Sequence, residues 1–193
     1  MTDIKRKAPV KVRCAEAADL VPLQKFFRQA AGEVAEGMKC LPNGSKGIYP
    51  SAQMIEDAVR HHKVFIALGE NLPEEFHTSD GYIMGGMISN HEYNPAFRDV
   101  KWNAELKDED TAYWHCLRVL NACQGRGVAR SIITEAIRLE REAGARAVRF
   151  DTVIGNDNAI HLYETIGFDN RGIYPVYEED IGMHESIMYE MIF

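Results

Sequence analysis

The stretch HCLRVLNACQGRGVARSI, His115–Ile132, carries three signals in one run of chain. It begins with a β-rich segment, passes through a turn containing Gly125 and Gly127, and ends in residues with helical spacing. The first backbone amides of a helix after such a turn have no acceptor within the helix, and the helix dipole adds positive potential there. Glycines let an anion approach those amides closely. The sequence therefore predicts an anion site at this turn, of the kind that holds a phosphate.

Two familiar phosphate-binding patterns fit the turn poorly. A P-loop requires a Lys-Ser or Lys-Thr pair after its last glycine, and none follows Gly125 or Gly127. The dinucleotide pattern GxGxxG has Arg130 at its third glycine position, although Asp151 stands where a ribose-binding acid belongs. That pattern also usually opens its fold, whereas several predicted elements precede this turn. A P-loop is excluded, and a dinucleotide site remains the weaker alternative.

A third pattern, Q/R-x-x-G-x-G/A, is matched by Gln124, Gly127 and Ala129. A second motif follows at Asn156–Phe168, NDNAIHLYETIGF, which predicts a short helix capped at its start by asparagine and ended by Gly167. In this order and at this separation, the two motifs resemble those of the GNAT superfamily of acetyl-CoA-dependent N-acetyltransferases.

The resemblance covers nearly the whole chain and is firmest over Ala112–Phe168. It extends to IYPS at Ile48–Ser51, to Trp102 and to FDT at Phe150–Thr152, as in small bacterial members of the superfamily.

The hydrophobic pattern predicts the order strand, helix, helix, hairpin, strand, helix, strand, helix, strand, strand. Residues 91–111 show no period. The expected fold is a single α/β domain over residues 1–193, with a flexible N-terminus at 1–9. The resemblance implies a mostly antiparallel sheet with a splayed parallel pair in the middle and helices on both faces.

Composition narrows the functional class further. The chain has 193 residues and a net charge of −7, which disfavours nucleic acid as a partner. It has neither an apolar run long enough to span a membrane nor the pattern of a secretory signal, so a cytoplasmic protein is expected. Its four cysteines form no CxxC pair and no zinc-ligand spacing. We expect reduced thiols and no metal.

The resemblance implies acetyl-CoA as co-substrate, with pyrophosphate on the amides of the turn and pantetheine between two separated strands. The Val119 amide would polarise the thioester. The implied cofactor-binding residues are Leu117, Arg118, Val119, Gln124, Gly125, Arg126, Gly127, Val128, Ala129, Arg130, Asn156 and Asn158. A glycine-rich helix cap without a ligand is the alternative for the turn.

Tyr163 matches the superfamily tyrosine that protonates the departing thiolate. Its helical spacing also places it on the packed face of its helix, which is compatible with a hydroxyl aimed at a ligand. His115 is the predicted base, because some members that acetylate aryl amines have histidine there; others have glutamate where this chain has Tyr113. Glu92 and Glu105 are secondary candidates.

The resemblance thus implies acetyl transfer to a primary amine of a small molecule by direct attack in a ternary complex. A non-catalytic acetyl-CoA-binding or protein-interaction module of the same fold is the alternative, which the retained Tyr163 disfavours. Relatives are frequently dimers, so a homodimer is a further expectation. The acidic run YEED, Tyr177–Asp180, is either a solvated turn or a group of carboxylates that attracts the amine substrate.

Overall fold

The computed structural model describes residues 10–37, 46–92 and 94–193. The segment 1–9, for which the sequence predicts flexibility, and Cys40 lie outside these residues. In the described part of the chain, Cys14, Cys116 and Cys123 are free thiols. No helix among the described residues combines the length and apolarity needed to cross a membrane.

The order of elements predicted from the hydrophobic pattern is confirmed. The strands are β1 (Lys11–Cys14), β2 (Val64–Gly69), β3 (His77–Thr78), β4 (Gly81–Asn90), β5 (Thr111–Val119), β6 (Ala147–Val153), β7 (Asp169–Glu178) and β8 (Gly182–Ile192). The α-helices are α1 (Leu20–Gly37), α2 (Ala52–Arg60), α3 (Val128–Glu142) and α4 (Asp157–Ile166). Ser51 caps α2, since its side chain accepts a hydrogen bond from the Met54 amide.

One mixed sheet joins the strands in the order β1-β2-β4-β5-β6-β8-β7, with the short β3 paired to β4. All neighbours are antiparallel except β5 and β6, which are parallel. The parallel pair therefore lies in the middle of the sheet, which confirms the predicted architecture.

Helices pack on both faces, and two adjacent glycines of β4 show how close they come. A Cβ on Gly86 would lie 3.2 Å from Phe26 of α1, and a Cβ on Gly85 would lie 2.9 Å from Val128 of α3. Because neighbouring residues of a strand face opposite sides, α1 and α3 cover opposite faces. Side chains at these two positions would push the helices away from the sheet.

The parallel pair is joined over only three positions, from Thr111 opposite Ala147 to Tyr113 opposite Arg149. Beyond Tyr113, β5 keeps its pairing with β4 but carries a bulge. Ile88 pairs with His115 and Gly86 with Arg118, so two steps on β4 match three on β5. Within this bulge Cys116 has φ +54°, a left-handed conformation that few residues other than glycine adopt. The bulge bends β5 away from β6 and opens a gap in the sheet.

The segment between β4 and β5, which showed no sequence period, is anchored to the sheet by an ion pair. Arg149 Nη2 lies 2.9 Å from Glu190 Oε1, and both side chains are almost fully buried. Arg149 also donates to the Ala104 carbonyl and lies over the Trp102 ring at 4.6 Å. Glu190 accepts a hydrogen bond from the Asn103 amide. Charges on β6 and β8 thus fix the path of a segment whose described part contains two short 3-10 helices, Pro95–Asp99 and Asp108–Asp110.

Candidate active site

A cleft with a volume of about 1140 Å³ occupies the gap between β5 and β6. Its walls come from the two strands, the first turn of α3, the helix α4 and the turn between β7 and β8. All the predicted site residues line it except Arg126: His115, Leu117, Arg118, Val119, Gln124, Gly125, Gly127, Val128, Ala129, Arg130, Asn156, Asn158 and Tyr163. Residues up to 48 positions apart in the sequence are therefore brought together by the opening of the sheet.

One end of the cleft is the N-terminus of α3. Gly127 caps this helix with φ +81°, and no side chain caps the first turn. A Cβ at Gly125 or Gly127 would meet no atom within 4 Å, so the space above the turn is open. The first amides of α3 thus face an open, electropositive volume that accepts an anion. Arg130 adds positive charge at the rim, where it donates to the Thr165 hydroxyl at 2.9 Å.

The backbone of β5 presents an amide to the gap. The Leu120 amide donates to the Met84 carbonyl of β4 at 3.1 Å. Successive amides of an extended chain point to opposite sides, so the Val119 amide points away from β4, toward β6. This orientation suits a hydrogen bond to a ligand lying between the strands.

Tyr163 of α4 projects into the same cleft from an aromatic cluster. Its ring lies 4.5 Å from Phe150 and 5.5 Å from Tyr189, between centroids. The side chain is 7% exposed, and its hydroxyl makes no hydrogen bond within the described residues. Burial raises the pKa of Tyr163, while the nearby charge of Arg118 opposes that rise. The phenol is therefore protonated at neutral pH and has a free proton to donate.

His115 lines the cleft on the strand β5, and its hydrogen bonds define its tautomer. Its Nε2 lies 3.0 Å from Asn90 Oδ1, and that oxygen also accepts the Glu92 amide. Because the shared atom is an acceptor, Nε2 of His115 carries the proton and Nδ1 is the unprotonated nitrogen. Burial lowers the pKa of His115 to about 4, so the ring is neutral at neutral pH.

The secondary candidates for the base do not reach the cleft. Glu92 and Glu105 have exposed side chains outside its lining. The hydroxyl of Tyr113 donates to Asp108 at 2.8 Å on the far side of the pairing point, and burial raises the pKa of Tyr113 to about 12. None of the three faces the reaction gap.

A cluster that motif spacing did not predict lies at the opposite wall. Asp151 of β6, Glu178 of β7 and His184 of β8 place one ligand atom each within 4.8 Å of one another. Asp151 and Glu178 line the cleft, and His184 is 5% exposed. The acidic run YEED was the sequence signal for Glu178, but adjacency of β6, β8 and β7 in the sheet was needed to find its partners.

A family model described as "Acetyltransferase (GNAT) family" matches residues 44–168. The chain belongs to this family. An uncharacterized N-acetyltransferase of Methanocaldococcus jannaschii is 27% identical over 75 residues, which are 39% of this chain and 33% of that protein. The match therefore spans about a third of that relative's length.

Three solved structures illustrate the shared fold. A GNAT-family acetyltransferase from Streptococcus agalactiae superposes with a TM-score of 0.71 at 16% identity, covering 95% of both chains. NAA60 of Arabidopsis thaliana, solved with a bisubstrate analogue, gives 0.66 at 16% identity, covering 95% of this chain and 97% of its own. An acetyltransferase named yncA from Salmonella typhimurium, solved with acetyl-CoA, gives 0.63 at 14% identity over 96% and 94%.

Proposed function

We propose that this protein transfers the acetyl group of acetyl-CoA to a primary amine of a small molecule, by direct attack in a ternary complex. The observation that carries the proposal is the cleft through the gap between β5 and β6, which has an anion site at one end and the Tyr163 hydroxyl in its wall. The presence of acetyl-CoA in the Salmonella typhimurium structure supports the same choice of co-substrate.

In this proposal the turn from Gln124 to Arg130 holds the pyrophosphate. The first amides of α3 supply hydrogen bonds and the helix dipole supplies positive potential. Arg126, which does not line the cleft, contributes its backbone rather than its side chain. Asn156 and Asn158, at the start of α4, line the path toward the gap and are placed to bond the pantetheine arm.

Pantetheine then lies in the gap, beside Leu117, Arg118 and Val119. Its amides replace the hydrogen bonds that the separated strands do not make with each other. The Val119 amide donates to the thioester carbonyl, where negative charge develops as the amine attacks. This donor is pre-oriented because the neighbouring Leu120 amide is fixed to β4.

The chemistry forms one bond and breaks another. The amine nitrogen forms a C–N bond to the carbonyl carbon, the C–S bond breaks, and Tyr163 gives its proton to the departing thiolate. Arg118 stabilises the phenolate that remains until a solvent proton restores the phenol. Overall, an ammonium and a thioester become an amide, a thiol and one released proton.

His115 remains the sequence-based prediction for the group that deprotonates the ammonium. Its neutral ring offers Nδ1 as an acceptor. A pKa of about 4, however, makes it a weak acceptor at neutral pH, since effective bases have pKa values near the working pH.

The direct test is to incubate the protein with acetyl-CoA and a panel of primary amines, following thiol release and the mass of the acetylated product. We expect thiol and acetylamide to appear in equal amounts with at least one amine. Tight coenzyme A binding without any acetylated product would favour the non-catalytic acetyl-CoA-binding module instead. Heat protection by NAD but not by coenzyme A would support a dinucleotide site.

A further inference from the structure

The cluster of Asp151, Glu178 and His184 is a concentration of hydrogen-bond acceptors in one wall of the cleft. The two carboxylates come from neighbouring parts of the sheet, and their oxygens and the histidine nitrogen lie within 4.8 Å of one another. His184 closes the cluster from below, since it is buried and outside the cleft lining. Any group bound there enters from the reaction gap.

One ring nitrogen of His184 makes a hydrogen bond and the other does not, within the described residues. Nδ1 lies 3.0 Å from the Gly182 carbonyl oxygen, which only accepts, so Nδ1 carries a proton. Nε2 is buried and has no partner within the described residues. In the neutral ring this nitrogen is an acceptor, like the two carboxylates beside it. A buried polar atom without a hydrogen-bond partner lowers the stability of the fold. A ligand that donates a hydrogen bond to this nitrogen would remove that cost.

The negative charge of the two carboxylates also favours binding of a cation. Burial raises the pKa of Asp151, and burial together with Asp151 raises the pKa of Glu178 to about 7. The groups that face Glu178 are Asp151 on β6, His184 on β8, Arg118 on β5 and Asp180 in the turn after β7. Arg118 forms no ion pair with either carboxylate in the part of the chain described. Two neighbouring carboxylates therefore repel each other at this site. A proton or a positively charged ligand would relieve that repulsion.

We propose that Asp151, Glu178 and His184 bind the ammonium group of the acceptor, so that the substrate is an aliphatic amine that arrives protonated rather than a neutral aryl amine. The inference rests on the proposed acetyl transfer and names its substrate class. An ammonium has three N–H donors, and the cluster offers three acceptors.

The spacing of the cluster admits an ammonium group as well as a metal ion. Three acceptors about 2.8 Å from one nitrogen, in tetrahedral directions, lie about 4.6 Å from each other. Nitrogen and oxygen ligands about 2.0–2.1 Å from a tetrahedral zinc ion lie only about 3.4 Å apart. The limit of 4.8 Å in this cluster admits both spacings, so a Zn²⁺ measurement belongs in the test.

The same site also provides a proton acceptor. The ammonium transfers one proton to the Glu178 carboxylate, which becomes a carboxylic acid, and the nitrogen regains its lone pair. That lone pair forms the C–N bond as the C–S bond of the thioester breaks. The acylated nitrogen then loses its second proton to solvent, which replaces the proton that Tyr163 gave to the thiolate, and Glu178 returns its own proton to solvent. Asp151 and His184 hold the nitrogen in place. This assignment competes directly with His115.

Isomeric amines make the test of recognition independent of turnover. Benzylamine is protonated at pH 8 and 4-methylaniline is neutral, although both have the same atoms. We measure binding of each by calorimetry to the protein saturated with coenzyme A, which cannot donate an acetyl group. Benzylamine and n-butylamine are expected to bind, and 4-methylaniline at least tenfold more weakly.

Charge-removing variants locate the binding. Asp151→Asn and Glu178→Gln are each expected to weaken benzylamine binding at least tenfold while leaving coenzyme A affinity within twofold. Glu179→Gln removes the same charge from the adjacent exposed position and should leave both affinities unchanged. The site would be overturned if both isomers bind equally, if the two variants leave amine binding unaffected, or if no ammonium binds. It would also be overturned if Zn²⁺ binds tightly and the variants abolish Zn²⁺ binding while amine binding persists.

Failure of the site and failure of acetyl transfer give different results. Ammonium binding with this variant pattern but no acetylated product would leave the site standing and refute catalysis. Acetylation of aliphatic amines at an unchanged rate in Glu178→Gln and Asp151→Asn would leave catalysis standing and refute the site.

Discussion

Tyr113 and Arg149 form the last paired position between the two parallel strands, and everything assigned to the reaction lies beyond them. His115 and Asp151 each stand two residues past this point, on β5 and β6 respectively. Since side chains alternate along a strand, both project from the same face as the pair that precedes them. The two candidate walls of the acceptor site thus begin at equivalent positions on β5 and β6, just beyond the point where these strands separate.

Tyr163→Phe tests the proton donor. We expect kcat to fall at least tenfold, because the thiolate must leave without a proton, while the KM for acetyl-CoA changes less than twofold. The thermal midpoint should shift little, since the hydroxyl makes no hydrogen bond within the described residues. Tyr189→Phe is the matched control, because this neighbouring ring loses a hydrogen bond to Glu164 but does not line the cleft. Equal activity of the two variants would refute the assignment of Tyr163.

A pH profile distinguishes the two proposed proton acceptors. A pKa of about 7 at Glu178 means that this carboxyl is neutral below pH 7 and ionised above it, so kcat/KM for the amine should rise as pH increases through about 7. His115, with a pKa of about 4, does not titrate in this range. We expect the rise near pH 7 to persist in His115→Gln and to disappear in Glu178→Gln. The reverse result would return the role to His115.

Gly127→Ala tests the anion site at the start of α3. The substitution places a Cβ in the open space above the turn and strains a residue with φ +81°. We expect at least a tenfold loss of coenzyme A affinity and a loss of about 1 kcal/mol in the free energy of unfolding. Gly144→Ala carries similar strain, at φ +94° after the other end of α3, and should lose stability without losing affinity. Equal affinities in calorimetry would place the diphosphate elsewhere.

Glu190→Gln tests the anchor of the segment between β4 and β5. Removing one partner of a buried ion pair leaves Arg149 without its counter-charge, so we expect the free energy of unfolding to fall by about 3–5 kcal/mol. Denaturant unfolding followed by circular dichroism measures this loss. Glu185→Gln, at an exposed position of the same strand, should change it by less than about 0.5 kcal/mol. A small effect of Glu190→Gln would mean that the segment is held by its apolar contacts alone.

Local rules were enough to predict much of the fold. Gly167 ends α4 in a left-handed conformation, as the sequence indicated. The extent of β8, Gly182–Ile192, does not follow from such local rules. The strand β8 pairs with β7 through the polar residues at its start. Pairing across the hairpin extends the strand even where the sequence has no hydrophobic alternation.

The candidate site was predictable only in part. The cofactor side depends on two contiguous motifs, so residues such as Gln124 and Tyr163 could be named from the sequence alone. The acceptor side depends on sheet adjacency, because Asp151 and His184 are 33 residues apart and meet only since β6 lies beside β8. His184 also had no motif, and its significance comes from a nitrogen that has no hydrogen-bond partner among the residues described in the structure.

The bulge at Cys116 has a consequence for how such a cleft arises. The sheet opens because β5 carries one more residue than β4 at this point, with the bonds to β4 retained on both sides of the insertion. Deleting Cys116 would bring β5 into continuous register with β4 and straighten it toward β6. A chain shortened by this one residue is expected to form an unbroken sheet, with its helices intact and no passage through its centre.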